Sequence, residues 1–151
     1  GPLLDQTLDQ WRAVLDVNLT GTFTVAQAVA KRLVAEGRRG SMVNITSMNG
    51  VMPGPNAGAY GSTKSAVALL TKQMAVEWGQ HGIRVNTVSP GVINTGWADK
   101  VSDPQGRKAA QELNRIAIAP DDVARAVIYA LNQPENVTVN DLIISPTRQD
   151  W

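Results

Sequence analysis

Tyr60 and Lys64 stand four residues apart in AYGSTKSAVALLTKQMAVEW, a stretch that reads as one uninterrupted helix. An i, i+4 spacing sets both side chains on the same face, one turn apart. A free tyrosine titrates near pH 10 and is a poor proton donor or acceptor at neutral pH (about 10). A fixed ammonium beside it stabilises the phenolate, which suits the pair to general acid/base work. Taken alone, the two residues also read as a tyrosine and a snorkelling lysine on an amphipathic helix.

Three other features bear on that choice. Ser47 ends a short apolar strand, MVNITS, thirteen residues before Tyr60. Asn18 lies mid-helix in DVNLTGTF, upstream of the strand. A second strand, RVNTVS, runs into Pro90-Gly91 and then VINT. Asn18, then Ser47, then Tyr60-x-x-x-Lys64, then Asn86-x-x-x-Pro90-Gly91 with Thr95 behind it, resembles the short-chain dehydrogenase/reductase family in order and spacing. The resemblance covers essentially the whole chain but maps onto only the second half of that family's fold.

The resemblance implies a role for each of these residues. Tyr60 would be the acid in carbonyl reduction and the base in alcohol oxidation. Lys64 would support it and bond the nicotinamide ribose. Ser47, at the carboxyl end of its strand, would hydrogen-bond the substrate oxygen as charge develops. Asn18 would hold a water that connects Lys64 to solvent. Pro90-Gly91 would break the strand so that backbone can approach the nicotinamide, with Ile93 and Thr95 on the cofactor side. Trp97 would either wall the substrate pocket or pack in the core. The implied cofactor is NADP, with NAD as the alternative, and the implied substrate is a small carbonyl/alcohol compound. His81, in a helix-ending loop, is read as a surface residue.

These residues need a frame. Residues 7 to about 36 read as one long helix with two apolar stripes, one through Trp11, Val14, Leu15, Asn18, Thr22, Val25 and Val29. The other runs through Leu19, Phe23, Ala26, Ala30 and Leu33, so the helix is expected to be buried on two sides. Strand 41–47, a Gly- and Pro-rich loop, helix 59–79 and strand 83–89 follow. Then come an irregular segment over 90–102, helices near 105–117 and from Pro120 to about Asn132, and a last strand near 139–145. This alternation predicts an α/β fold, a Rossmann-like doubly wound parallel sheet of which the chain supplies the second half. Asn44 and Asn86, at matching points of two strands, are read as buried amides satisfying loop backbone.

The chain has 151 residues, one domain's worth, with net charge +1, one His and no Cys. That composition argues against nucleic acid as a partner, a disulfide framework or a zinc site. No long apolar run or signal-peptide pattern occurs, so neither a membrane partner nor export is expected. The absence of Cys fits a reducing, cytoplasmic setting. No G-x-G-x-x-G is present, and Gly50, Gly54, Gly58 and Gly61 are too widely spaced to cradle a phosphate. That loop is read as a mobile substrate-side loop. The family's dinucleotide fingerprint would then lie upstream of Gly1, in a piece of roughly 90 residues (two strand–helix units and a strand). The opening Gly-Pro fits both a point after the fourth strand and a protease-cleavage scar.

The C-terminus departs from the common family ending of strand and Asp-Gly-Gly. Here it reads LIISPTRQDW. That resembles the branch of clavulanate-type aldehyde reductases and NADP-dependent serine and 3-hydroxy-acid dehydrogenases. Two other functions stand beside the oxidoreductase. One is a catalytically silent relative acting through oligomerisation, with helices 7–36 and 59–79 at the interfaces of a homo-tetramer. The other is a lyase or epimerase of the extended branch, disfavoured by the short C-terminal segment.

Overall fold

A computed structural model describes residues 2–102 and 104–149. Gly1 of the opening Gly-Pro and the terminal Asp150-Trp151 lie outside the described residues. Five α-helices and three strands alternate: α1 Leu8–Leu15, α2 Gly21–Ala35, β1 Gly40–Ile45, α3 Gly58–Trp78, β2 Ile83–Pro90, α4 Pro104–Asn114, α5 Pro120–Leu131 and β3 Asp141–Ile144. The strands form one parallel sheet in the order β1-β2-β3. Helices α2 and α3 pack on one face, α5 on the other. The expected parallel sheet, half of a doubly wound arrangement, is present; β1 starts one residue earlier and ends two earlier than expected, β2 runs one residue longer, and β3 is shorter at both ends. Among the described residues, no helix is long and apolar enough to cross a membrane.

Strand β2 sits in the middle and is buried at every position but Arg84. Ile83, Val85 and Val88 are fully enclosed; such side chains each contribute about 1.5–3 kcal/mol relative to exposure. Ile83 and Val85 join Ala26, Ala30 and Met74 in the core under α2 and α3. The small alanines let α2 lie close to the sheet. On the opposite face Arg84 donates to the carbonyls of Ala130, Leu131 and Val137, tying down the end of α5. Asp122 caps α5 by accepting the Ala119 N–H at 2.8 Å.

The single helix expected over residues 7–36 is instead two helices joined by a π-turn. Thr7 and Gln10 form a capping box that starts α1. From Asp16 to Thr20 the backbone widens, and the Gly21 N–H reaches back five residues to the Asp16 carbonyl. One inserted residue rotates everything downstream by about 100°. The two apolar stripes are therefore two halves of one inward face. Trp11, Val14, Leu15 and Asn18 face inward before the insertion; Ala26, Ala30 and Leu33 do so after it. Val25, Val29 and Phe23 are turned outward and exposed, so the helix is not buried on two sides.

Two further expectations are corrected. β2 ends at the Pro90-Gly91 step but one residue later than expected: Pro90 is the last paired residue, opposite Ile144, and the Gly91 N–H supplies the bond to the Ile144 carbonyl at 2.7 Å. Asn44 does not serve loop backbone. Its Nδ2 donates to the Thr71 hydroxyl of α3 at 2.9 Å. Asn86 does behave as expected, accepting the Val139 N–H at 2.8 Å.

On the α3 face a row of polar side chains crosses all three strands. Thr46, just past β1, meets Ser89 of β2. Ser89 and Thr87 both donate to the Asp141 carboxylate of β3, at 2.8 and 2.7 Å. Thr46, Thr87 and Ser89 are buried, and removing Asp141 deletes two hydrogen bonds to a charged acceptor, leaving Thr87 only the Asn140 carbonyl and Ser89 only Thr46. Asp141→Ala is expected to cost about 1–3 kcal/mol of stability in urea denaturation. A change below a few tenths would contradict this role for the network.

Candidate active site

The carboxyl ends of β1 and β2 and the start of α3 enclose a cavity of about 380 Å³. Ser47, Tyr60, Gly91, Ile93, Thr95 and Trp97 line it, so six of the nine residues singled out from the sequence meet here. A larger cavity, about 540 Å³, lies at the other ends of the strands between α2, Gly82 and Glu135. None of those nine residues lines it, although His81 does, and its Arg39 is matched by Glu135.

Ser47 is not the last residue of β1, which ends at Ile45. It is the first residue of a tight turn over Met48–Gly50, and its Oγ accepts the Asn49 N–H at 3.2 Å. That bond occupies the oxygen and leaves the Ser47 O–H free to donate. The turn presses on α3 through two glycines. A Cβ on Gly61 would lie 2.7 Å from the Asn49 carbonyl oxygen. A Cβ on Gly50 would lie 2.9 Å from the Lys64 backbone. Ser65 also donates to the Gly50 carbonyl. The "substrate-side loop" is thus docked on the helix at its start, and Ser47 and Tyr60 share one wall.

Tyr60 is 40% exposed, and its hydroxyl has no hydrogen-bond partner among the described residues. Lys64 sits behind it, with Nζ 5.6 Å from the ring centre. The ammonium donates to the Ile45 carbonyl at 3.0 Å, so α3 is latched to the end of β1. One bond leaves two of its three donors uncommitted. Partial burial lowers the Lys64 pKa below the usual 10.5, because desolvation disfavours the ammonium.

Asn18 lies in the middle of the π-turn, a kind of distortion that often marks functional sites. Its Nδ2 donates to the Thr63 hydroxyl at 3.1 Å. Thr63 in turn donates to the Tyr60 carbonyl at 2.7 Å. Asn18 therefore touches the tyrosine-bearing turn through Thr63, and its side-chain hydrogen bond among the described residues goes to Thr63 rather than to Lys64. The sequence reading missed Thr63, although its place three residues after Tyr60 on the inward face was available from the helical period.

Beyond β2, Ile93 pairs with Ile118 in an isolated bridge, and its carbonyl accepts the Trp97 indole N–H at 3.1 Å. The Ile93 N–H has no partner among the described residues. Trp97 is at the cavity rim and partly exposed rather than in the core. His81 is exposed.

Comparison with known proteins gives a consistent picture. A family model described as enoyl-(acyl carrier protein) reductase matches residues 1–144. The 3beta-hydroxysteroid dehydrogenase 1 of Eggerthella lenta is 34% identical over 143 residues, which is 92% of this chain and 55% of that protein. A solved 4-hydroxyisoleucine dehydrogenase mutant complexed with NADH and succinate is similar with TM-score 0.83 and 33% identity, over 96% of this chain and 61% of that one. The closed form of a serine dehydrogenase complexed with NADP+ is similar with TM-score 0.85 and 26% identity, over 99% of this chain and 61% of that one. The chain thus spans little more than half the length of these relatives.

Two outcomes follow from this geometry. Gly61→Ala forces the 47–50 turn off α3 and is expected to cost about 1–3 kcal/mol in urea denaturation, the scale of overpacking; a neutral or stabilising effect would contradict the close contact. Below its lowered pKa, Lys64 carries the full desolvation penalty in the folded state. As pH rises through that pKa toward 10.5 the unfolded chain holds the proton longer, so stability increases with pH in that window. Wild type is therefore expected to gain stability relative to Lys64→Met as pH rises there, measured by denaturation at a series of alkaline pH values. A flat or falling difference would refute the shift.

Proposed function

The chain belongs to the short-chain dehydrogenase/reductase family, and from that premise we propose that the protein is an NADP- or NAD-dependent oxidoreductase acting on a carbonyl/alcohol pair. The observation that carries this reading is the convergence of Ser47, Tyr60, Thr95 and Trp97 on one cavity, with the Lys64 ammonium behind the Tyr60 ring.

A bound nicotinamide would supply or accept the hydride at the substrate carbon. The residues here fit its nicotinamide end: an unpartnered Ile93 N–H and the Thr95 side chain for its carboxamide, and the two spare donors of Lys64 for the ribose. No closely spaced glycine turn for the pyrophosphate occurs in the sequence. We therefore propose that this single domain is the C-terminal part of the family's fold, with the dinucleotide fingerprint upstream. The serine dehydrogenase neighbour, complexed with NADP+, supports NADP; the NADH complex keeps NAD open. A chain free of cysteine fits a cytoplasmic setting.

In reduction Tyr60 gives its hydroxyl proton to the carbonyl oxygen, while Ser47 donates a hydrogen bond that strengthens as negative charge grows there. In oxidation Tyr60 takes the proton back. Lys64 holds positive charge beneath the phenol. Asn18 and Thr63 fix the turn bearing Tyr60, and Asn18 would hold a water that carries protons toward Lys64. Trp97 closes the rim over the substrate.

Association is the second part of the proposal. Phe23 and Val29 on α2, with Leu69 and Val76 on α3, are exposed at 41%, 43%, 70% and 78%. An apolar groove lined by Leu19, Phe23, Leu69 and Leu70 runs between the two helices. A second copy of this chain suits a surface of that kind, in a tetramer built from two-fold contacts. If the pyrophosphate site is missing from the working molecule, association through this surface is what remains of its function.

Tyr60→Phe is expected to lower turnover by at least about two orders of magnitude with folding intact, read as the rate of reduced-cofactor consumption with a carbonyl substrate. Near-normal turnover would end the assignment. Sedimentation is expected to give a tetramer at micromolar concentration, and Leu69→Glu to shift it to smaller species; a wild-type monomer would refute the interface.

A further inference from the structure

We propose that Gln149 is a substrate-recognition residue, held by its amide oxygen and offering its amide N–H groups to a second oxygen on the substrate. This rests on the oxidoreductase reading above and narrows its substrate class. Gln149 lines the same cavity as Ser47 and Tyr60, although it lies in a polar stretch at the far end of the chain.

Its orientation is fixed by chemistry. The Val92 N–H donates to Gln149 Oε1 at 3.1 Å. A backbone N–H can only donate, so the group facing it must be the carbonyl half of the amide. The Nε2 group then points elsewhere, and it has no partner among the described residues. The tail that carries it is tied down on both sides. The Gln149 N–H closes a turn on the Pro146 carbonyl at 3.0 Å, and the Gly91 N–H bonds the Ile144 carbonyl at 2.7 Å. Gly91 leaves room for this contact: a Cβ there would lie 2.3 Å from Gln149 Oε1.

A cavity-lining amide with its oxygen engaged presents two donors. A ligand that displaces water without pairing them leaves them unsatisfied, which penalises it relative to one carrying an acceptor. The substrate class is therefore a small ketone or alcohol that carries a second acceptor oxygen. A plain aliphatic ketone lacks that oxygen.

Diacetyl and methyl ethyl ketone differ by one carbonyl oxygen and serve as probes. Steady-state KM and kcat are measured for both with reduced cofactor in wild type, Gln149→Glu and Gln149→Leu. Gln149→Glu keeps an oxygen for Val92 N–H and removes the donors, whereas Gln149→Leu removes both. KM for diacetyl is expected to rise about tenfold in both variants, the scale of one lost hydrogen bond. KM for methyl ethyl ketone is expected to stay within about twofold, and kcat to hold. Wild-type KM values in Gln149→Glu would reduce Gln149 to a strut and overturn the inference, as would equal losses for the two ketones. If wild type turns over neither ketone, the oxidoreductase reading fails separately. Ligand-observed NMR with the same ketones then decides for Gln149: tighter diacetyl binding that both variants lose supports it, and equal or absent binding overturns it.

Discussion

The close backbone approach of the 48–50 turn to α3 is the constraint on which the site depends. A carbonyl at Asn49 and the bare Cα of Gly61 leave no room for a methyl group between them, and Ser65 locks the contact by donating to Gly50. Because β1 delivers Ser47 into that turn and α3 carries Tyr60 one residue before Gly61, the contact sets the serine against the tyrosine. Lys64, one turn further on, then reaches the Ile45 carbonyl and fixes the helix to the sheet a second time. Two latches on one helix turn a loop and a helix into one rigid wall.

The support behind that wall is polar. Thr46, Ser89, Thr87 and Asp141 join the strand ends directly beneath the residues that line the cavity. Asn18 and Thr63 do the same from the helical side. Buried polar networks with every member paired hold one arrangement against alternatives, which is what a site needing fixed donors requires. The apolar core lies farther down the sheet, around Ile83 and Val85.

Much of this was legible in the sequence. Tyr60 and Lys64 stood out because acid/base chemistry suits those types at that spacing, and Ser47 through the family resemblance, at the end of a short apolar strand. The π-turn was hidden because an inserted residue leaves the 3.6 period intact on both sides and only shifts its phase; the shift read as a second apolar stripe. Pro90 was placed just outside the strand because a proline cannot donate to the ladder, while its position at the last pair lets Gly91 supply the donor. Asp141 and Gln149 carried no local signal. Their partners, Ser89 and Val92, are far away in the chain (Ser89 and Asp141 lie 52 residues apart) and come together only when β3 joins the sheet. Long-range hydrogen bonds leave no periodicity to read.

The central claim is that this wall is one half of a nicotinamide–carbonyl site with Tyr60 at the reacting oxygen. A crystal structure of the protein with NADPH and a carbonyl ligand tests it most directly. The account predicts the nicotinamide carboxamide on the Ile93 N–H and Thr95, a Lys64 donor on the ribose, and the ligand oxygen within hydrogen-bond reach of both Tyr60 and Ser47. A nicotinamide bound outside the cavity, or a ligand oxygen that reaches neither hydroxyl, would contradict it.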